Sequence, residues 1–166
     1  MREMSNEYIW DKQGLPHKGW TEVTIIDLGD DSEFCHETCE MCGKEHIRYV
    51  HVMRHPDVDN ELRVGCVCAC KMTDDYENPV IRERELKNKA NRRMNFLRQD
   101  WNVNWKGNYV LRYKGKYITI FRARHGQGWG IALLGFHFWK HNGQPMNTLS
   151  SAKIAAFDYF DNLTRR

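Results

Sequence analysis

No stretch of this sequence approaches the roughly 20 consecutive apolar residues that span a bilayer. The longest apolar run, Ile131 to Phe138, is broken by Gly135 and His137. The opening segment MREMSNEYIW has no apolar core of the kind a secretory leader carries. A soluble, cytoplasmic protein with no membrane partner is therefore expected. Internal repeats and low-complexity tracts are absent, as are a nucleophile-elbow motif and a glycine-rich phosphate loop. Cysteine is missing before Cys35 and after Cys70, so all six cysteines fall in one short segment. Disulfides that staple a secreted fold are spread along the chain, so this clustering favours metal binding instead.

Acidic residues are scarce in the second half. From Pro79 to Arg166 there are 17 Lys/Arg against 5 Asp/Glu, whereas Met1 to Asn78 carries 8 against 17. A net charge of +3 thus conceals an acidic half and a basic half. Such asymmetry points to a polyanionic partner for the second half, or to two halves that neutralise each other. With 166 residues of which 41% are hydrophobic, two small modules are the expected limit, and a module that small commonly needs a metal staple.

What is present begins with Cys39-Glu40-Met41-Cys42-Gly43, a C-x2-C-G knuckle whose two thiolates can meet one tetrahedral ion. HIRYVHVM then reads as a strand, HPDVDN as a turn and Glu61 to Val64 as a returning strand. After Gly65, a short helix is expected over Cys66 to Met72. Knuckle, hairpin and ligands from a first helical turn make a treble-clef arrangement, in which the helix N-terminus stabilises thiolates. A closed, all-sulfur zinc site of Cys39, Cys42, Cys66 and Cys68 is expected, structural rather than catalytic. Cys66 and Cys70 on one helical face are the other arrangement, with Cys70 held in reserve. Cys35, His36, His51 and His55 lie near enough to be alternatives, each expected as a buried thiol or an ordinary strand or turn position.

The segment CEMCGKEHIRYVHVMRHPDVDNELRVGCVCACKM resembles the cysteine-rich part of small, largely uncharacterised bacterial and phage proteins. Their pattern is a C-x2-C-G knuckle, an IRY-type strand, an HP turn and a VGC-x-CA element. The similarity spans Gly19 to Arg93 and implies a treble-clef-like zinc module carried by Cys39, Cys42, Gly65, Cys66 and Cys68. It supplies no activity.

A long basic helix is expected over Val80 to Trp101, with Pro79 in its first turn and Asn78 as a cap. Ile81, Leu86, Ala90, Met94 and Leu97 form its apolar stripe. Beyond it, YVLRYKGKYITIFRA reads as a hairpin around Lys114-Gly115, WGIALL and GFHFWK as further strands, and a last helix starts at Thr148 or Ser150. The fold class is thus α+β, comprising an acidic zinc module (1–78), a connecting helix (79–101) and a small sheet with a C-terminal helix (102–166). The element order of Tyr109 to Leu163 is similar to double-stranded-RNA-binding and integrase-arm DNA-binding domains.

Function follows from the basic half. Lys89, Arg92, Arg93, Arg112, Lys114, Lys116, Arg122 and Arg124 are the expected nucleic-acid contacts, interleaved with aromatics that can stack on bases. Among those aromatics, Tyr117, Phe121 and Trp129 are expected in the core. The leading expectation is a zinc-stabilised protein that binds DNA or RNA and is not an enzyme. One alternative is a protein-interaction or inhibitor module acting through the acidic half. The other is a metal-dependent nuclease using His46, His51 or His55, although no HNH-type succession follows the hairpin.

Overall fold

A computed structural model describes Trp10 and residues 14–29, 36–124 and 128–165. Cys35, most of the acidic loop before it, and residues 125–127 lie outside the described residues. The protein is α+β, with three antiparallel sheets and three helices among the described residues. Two compact units divide the chain at Met1–Asn88 and Lys89–Arg166. The expected connecting helix is therefore no block of its own. Helix α2 (Asn78–Leu97) lends its first half to one unit and its second half to the other.

The first unit is built on a three-stranded meander of β1 (Thr21–Asp27), β2 (Tyr49–His55) and β3 (Val58–Val64), in that order. The central strand β2 is buried along most of its length, which suits its branched and apolar YVHVM sequence. Helix α1 (Cys66–Thr73) begins as soon as β3 ends, with Gly65 at its N-cap. Trp20, Met41, Ile47, Val50, Met53, Val64 and Met72 fill the core between them. The indole N–H of Trp20 donates to the Pro16 carbonyl at 2.7 Å, so this buried ring leaves no polar atom unpaired.

The strand pairing contains one irregularity that matters later. Ile25 pairs with His51 and Thr24 with Val52, but Glu22 rather than Val23 pairs with Met53. Val23 is the extra residue of a β-bulge. Side chains directly opposite each other across a ladder share a face, and alternate residues along one strand do too. Glu22 therefore shares the face of Met53 and His51, which an unbroken register would deny it.

The second unit carries a five-stranded antiparallel meander in the order β4 (Asn102–Val103), β5 (Tyr109–Tyr113), β6 (Lys116–Arg122), β7 (Trp129–Leu133) and β8 (Phe136–Phe138). A two-stranded ribbon, β9 (Lys140–His141) with β10 (Gln144–Pro145), precedes helix α3 (Leu149–Thr164). The hairpin turns Lys114-Gly115, Leu134-Gly135 and Asn142-Gly143 all place both residues at positive φ. That is the twist-matched geometry for two-residue turns, and glycine takes the second position without a Cβ clash. Thr148 caps α3 in a reciprocal box with Ser151, which settles the expected start.

Helix α3 buries Ala152, Ala155, Ala156, Phe157 and Phe160 against Leu111, Ile118, Ile120, Ile131 and Leu133. The end of α2 joins this core through Phe96, whose ring meets Phe157 and Tyr113 at 5.5 and 5.0 Å. The expected stripe on α2 is only partly realised, because Ile81 and Met94 are exposed. No described helix is long and apolar enough to cross a membrane.

Candidate metal centre and candidate nucleic-acid interface

Three thiols converge in the first unit. Cys39 and Cys42 come from the knuckle, where the Gly43 N–H donates to the Cys39 carbonyl at 2.8 Å and closes the turn. Cys68 comes from the first turn of α1. Their sulfurs all lie within 4.8 Å of one another, so this group could hold a metal ion. A tetrahedral ion with bonds of about 2.3 Å to sulfur holds such atoms just under about 4 Å apart, a spacing within that bound. The Gly65 N–H points at the Cys39 sulfur at 3.4 Å. Donation from the Cys68 thiol and from the Gly65, Cys42 and Met41 amides outweighs burial and lowers the Cys39 thiol to about 5. The Cys68 thiol is correspondingly raised, because Cys39 holds its proton and because it is buried. Sulfurs gathered this closely are placed to be joined by a cation that takes the place of thiol protons.

The expected fourth ligand, Cys66, is placed elsewhere. Because α1 starts at Cys66 itself, Cys66 and Cys68 are already i and i+2 on a helix and point to nearly opposite sides. Cys66 instead groups with His51 and Glu83. Cys70, one turn on, shares its face and hydrogen-bonds it. Burial, with the Glu83 charge adding to it, pushes the Cys66 thiol up to about 12. The other candidates are also separated. His55 is buried against the Trp20 ring and its Nδ1 accepts the Asp57 N–H at 3.1 Å, a turn-fixing role. His46 is exposed beside His36, with ring centroids 5.6 Å apart. Both Glu22 and Glu83 escaped sequence reasoning, the first hidden by the bulge and the second by its place among arginines.

In the second unit, the predicted cations fall into two sets. Those on α2 are tied down: Arg92 meets Asp161 through two hydrogen bonds of 3.0 and 3.1 Å, Arg93 meets Asp158 at 2.8 Å, and Lys89 approaches Asp158 at 4.0 Å. Asp158 and Asp161 are two of the three acids between Lys89 and Arg166. The sheet cations Arg112, Lys114, Lys116, Arg122 and Arg124 have no carboxylate partner among the described residues. Their charge faces solvent or aromatic rings, as with Arg122 at 4.6 Å from the Trp129 ring and Arg112 at 5.9 Å from that of Tyr117.

Register decides which aromatics face outward. Ile118 and Ile120 point to α3, so Tyr117, Thr119 and Phe121 occupy the other face, with Arg112 opposite Tyr117 and Gly130 opposite Phe121. The core placement expected for Trp129 holds, but Tyr117 is 65% exposed and Phe121 only partly covered. The odd-even alternation of β6 assigns its isoleucines inward, and that sends both aromatics out. Phe121 and Trp139 pack edge to face, centroids 5.2 Å apart, directly over Gly130. With Lys106, Asn108, Arg122 and Arg124 they line an open cavity of about 830 Å3.

Gly130 is what lets this pair lie flat. A Cβ there would stand 2.7 Å from the Phe121 ring and 2.8 Å from that of Trp139. Gly130→Ala is expected to evict one ring and to cost on the order of 1–3 kcal/mol, the range for overpacking. Tryptophan emission and a urea titration would check this, and an unchanged spectrum at unchanged stability would contradict it. Comparison with protein-family models, with curated proteins and with solved structures finds no match to this chain.

Proposed function

We propose that this chain is a zinc-stabilised, nucleic-acid-binding protein whose contact surface is the outer face of the five-stranded sheet. One observation carries the reading: Tyr117, Phe121 and Trp139 lie exposed or half-exposed on or beside one sheet face, with Arg112 opposite Tyr117 on that face and Lys106, Arg122 and Arg124 lining the cavity at Phe121 and Trp139. Aromatic rings on a sheet stack on unpaired bases while Lys and Arg track the phosphates, so single-stranded DNA or RNA is the fitting ligand. Trp105, 89% exposed beside Lys106, extends the same chemistry. The basic helix, by contrast, commits Arg82, Arg92 and Arg93 to carboxylates of the protein itself.

The metal serves stability in this reading. Thiolates are soft ligands that favour zinc among abundant divalent ions, and the knuckle, hairpin and helix form a treble-clef-like frame around it.

Fluorescence anisotropy of a labelled single strand, titrated at several salt concentrations, tests the function. Affinity is expected to fall linearly on a log–log plot of binding constant against salt. Trp139→Ala should weaken binding by roughly 10- to 100-fold, the size of a lost stacking contact. Arg124→Glu should weaken it and flatten the salt slope by about one. No binding at low salt to DNA or RNA of either strandedness would end the proposal.

A further inference from the structure

We infer that His51, Cys66 and Glu83 form a second divalent-metal site, separate from the thiolate cluster and built with one coordination position open. The donor set is one imidazole nitrogen, one sulfur and one carboxylate oxygen, all within 4.8 Å of each other. His51 Nε2 already stands 3.2 Å from the Glu83 carboxylate. Bonds of about 2.0–2.3 Å to nitrogen, oxygen and sulfur put ligand atoms roughly that far apart around a tetrahedral ion. Mixed nitrogen, sulfur and oxygen donors suit zinc or cobalt(II) better than magnesium or calcium, which take oxygen.

What sets this group apart from a buried ion pair is the arrangement behind it. His51 is fully buried, and its second nitrogen, Nδ1, meets the Glu22 carboxylate at 2.8 Å. A carboxylate on the far nitrogen fixes the tautomer and aims Nε2 as a ligand, the outer-shell partner that metal-bound histidines carry. The bulge at Val23 is what brings Glu22 to this face, and bulges that re-aim a side chain cluster beside functional sites. Glu22 is held in turn by Arg82 at 2.6 Å, and Glu83 by Lys87. A histidine clamped by two carboxylates has no use for Cys66, whereas an ion uses all three donors.

Beside the site lies a cavity of about 390 Å3 that Cys66 and Glu83 line together with Lys44, Tyr49 and Lys87, and the thiolates Cys39, Cys42 and Cys68 line the same cavity. Three protein ligands and a vacant fourth are the pattern of an ion that binds water or a small anion, and the two lysines favour the anion. Glu22 is a positioning residue here and touches no ion. The site stands independently of the nucleic-acid reading, since none of its residues belongs to the sheet of the second unit.

Metal analysis of the intact chain, with cobalt(II) as a spectroscopic probe, tests the inference. Two ions per chain are expected, one with strong thiolate-to-cobalt charge transfer from three or more sulfurs and one with a weaker, single-sulfur band. His51→Ala and Cys66→Ala should each remove the second ion and leave the first. Glu83→Gln, which preserves size and tests for a folding artefact, should weaken the second at least tenfold without changing the first. Glu22→Gln should weaken it less than Glu83→Gln does. One ion per chain overturns the inference, as does loss of charge-transfer intensity from the first ion in Cys66→Ala, since Cys66 would then complete the thiolate cluster.

Discussion

Stripping the metal under reducing conditions is expected to unfold the first unit while the second keeps its structure. The cluster of Cys39, Cys42 and Cys68 sits inside the core that includes Met41, Ile47, Val64 and Ala69, with Cys39 and Cys68 themselves buried. Zinc bound by thiolates supplies roughly 10–16 kcal/mol in small zinc-binding units at neutral pH. Whole domains are stable by only about 5–15 kcal/mol, so a unit this small has no reserve to replace that contribution. Removing the ion also leaves the buried sulfurs of Cys39 and Cys68 without the cation that would join them. Amide NMR dispersion after chelation reads the outcome directly. Signals from β1 to β3 should collapse while those from β5 to β8 persist, and Cys39→Ser should reproduce the pattern. Retention of a dispersed spectrum throughout would show that the thiols are core residues and nothing more.

Arg92→Ala is expected to destabilise the second unit by about 3 kcal/mol, the lower end of the range for breaking a largely buried ion pair. Its two hydrogen bonds to Asp161 join the end of α2 to α3, and Asp161 is only 6% exposed. Deleting the guanidinium leaves that carboxylate largely buried without its hydrogen-bonding partner, with Arg165 at 3.9 Å and Lys114 and Lys116 of the same cavity as partial compensation. Arg112→Ala, on an exposed strand position, should change stability by less than about 0.5 kcal/mol. Urea midpoints at constant slope would separate the two variants. Equal midpoints would mean that the Arg92–Asp161 pair is dispensable. The contrast bears on the choice of binding mutants, because charge reversal at Arg92 and Arg93 confounds a lost contact with a lost fold. Reversals at Arg112 and Arg124 do not.

Most of the fold is legible in the sequence because it is local. The Lys114-Gly115 turn, the Thr148 cap and the alternation of YITIF each act over a few residues, and each lands where expected. The thiolate cluster is legible for the same reason: a C-x2-C-G knuckle and a helix start prescribe where their sulfurs point. The partition of Cys66 from Cys68 follows from a helix that starts at Cys66 as expected, because residues i and i+2 of a helix point apart and cannot share one ion. Glu22 reaches His51 only through a one-residue slip in strand pairing, and Glu83 reads as an isolated acid on a basic helix. Tyr117 and Phe121 were expected inside on hydrophobicity. Periodicity in β6, with Ile118 and Ile120 committed to the core, overrides that preference. Arg92 and Arg93 resemble a solvent-facing cluster until α3 supplies the acids that claim them.

The order of strands in the larger sheet has a kinetic meaning. Every neighbour in the β4–β8 meander is also a neighbour along the chain, joined by a short connection. Hairpins of this kind form within about 1–10 μs, and the loops they close are short. The thiolate site instead waits for segments 26 and 29 positions apart, Cys42 and Cys39 with Cys68, to meet around an ion. The five-stranded sheet is thus expected to be complete on a nascent or metal-starved chain before the three thiols of the first unit come together. Metal supply would then govern the integrity of the first unit far more than that of the second.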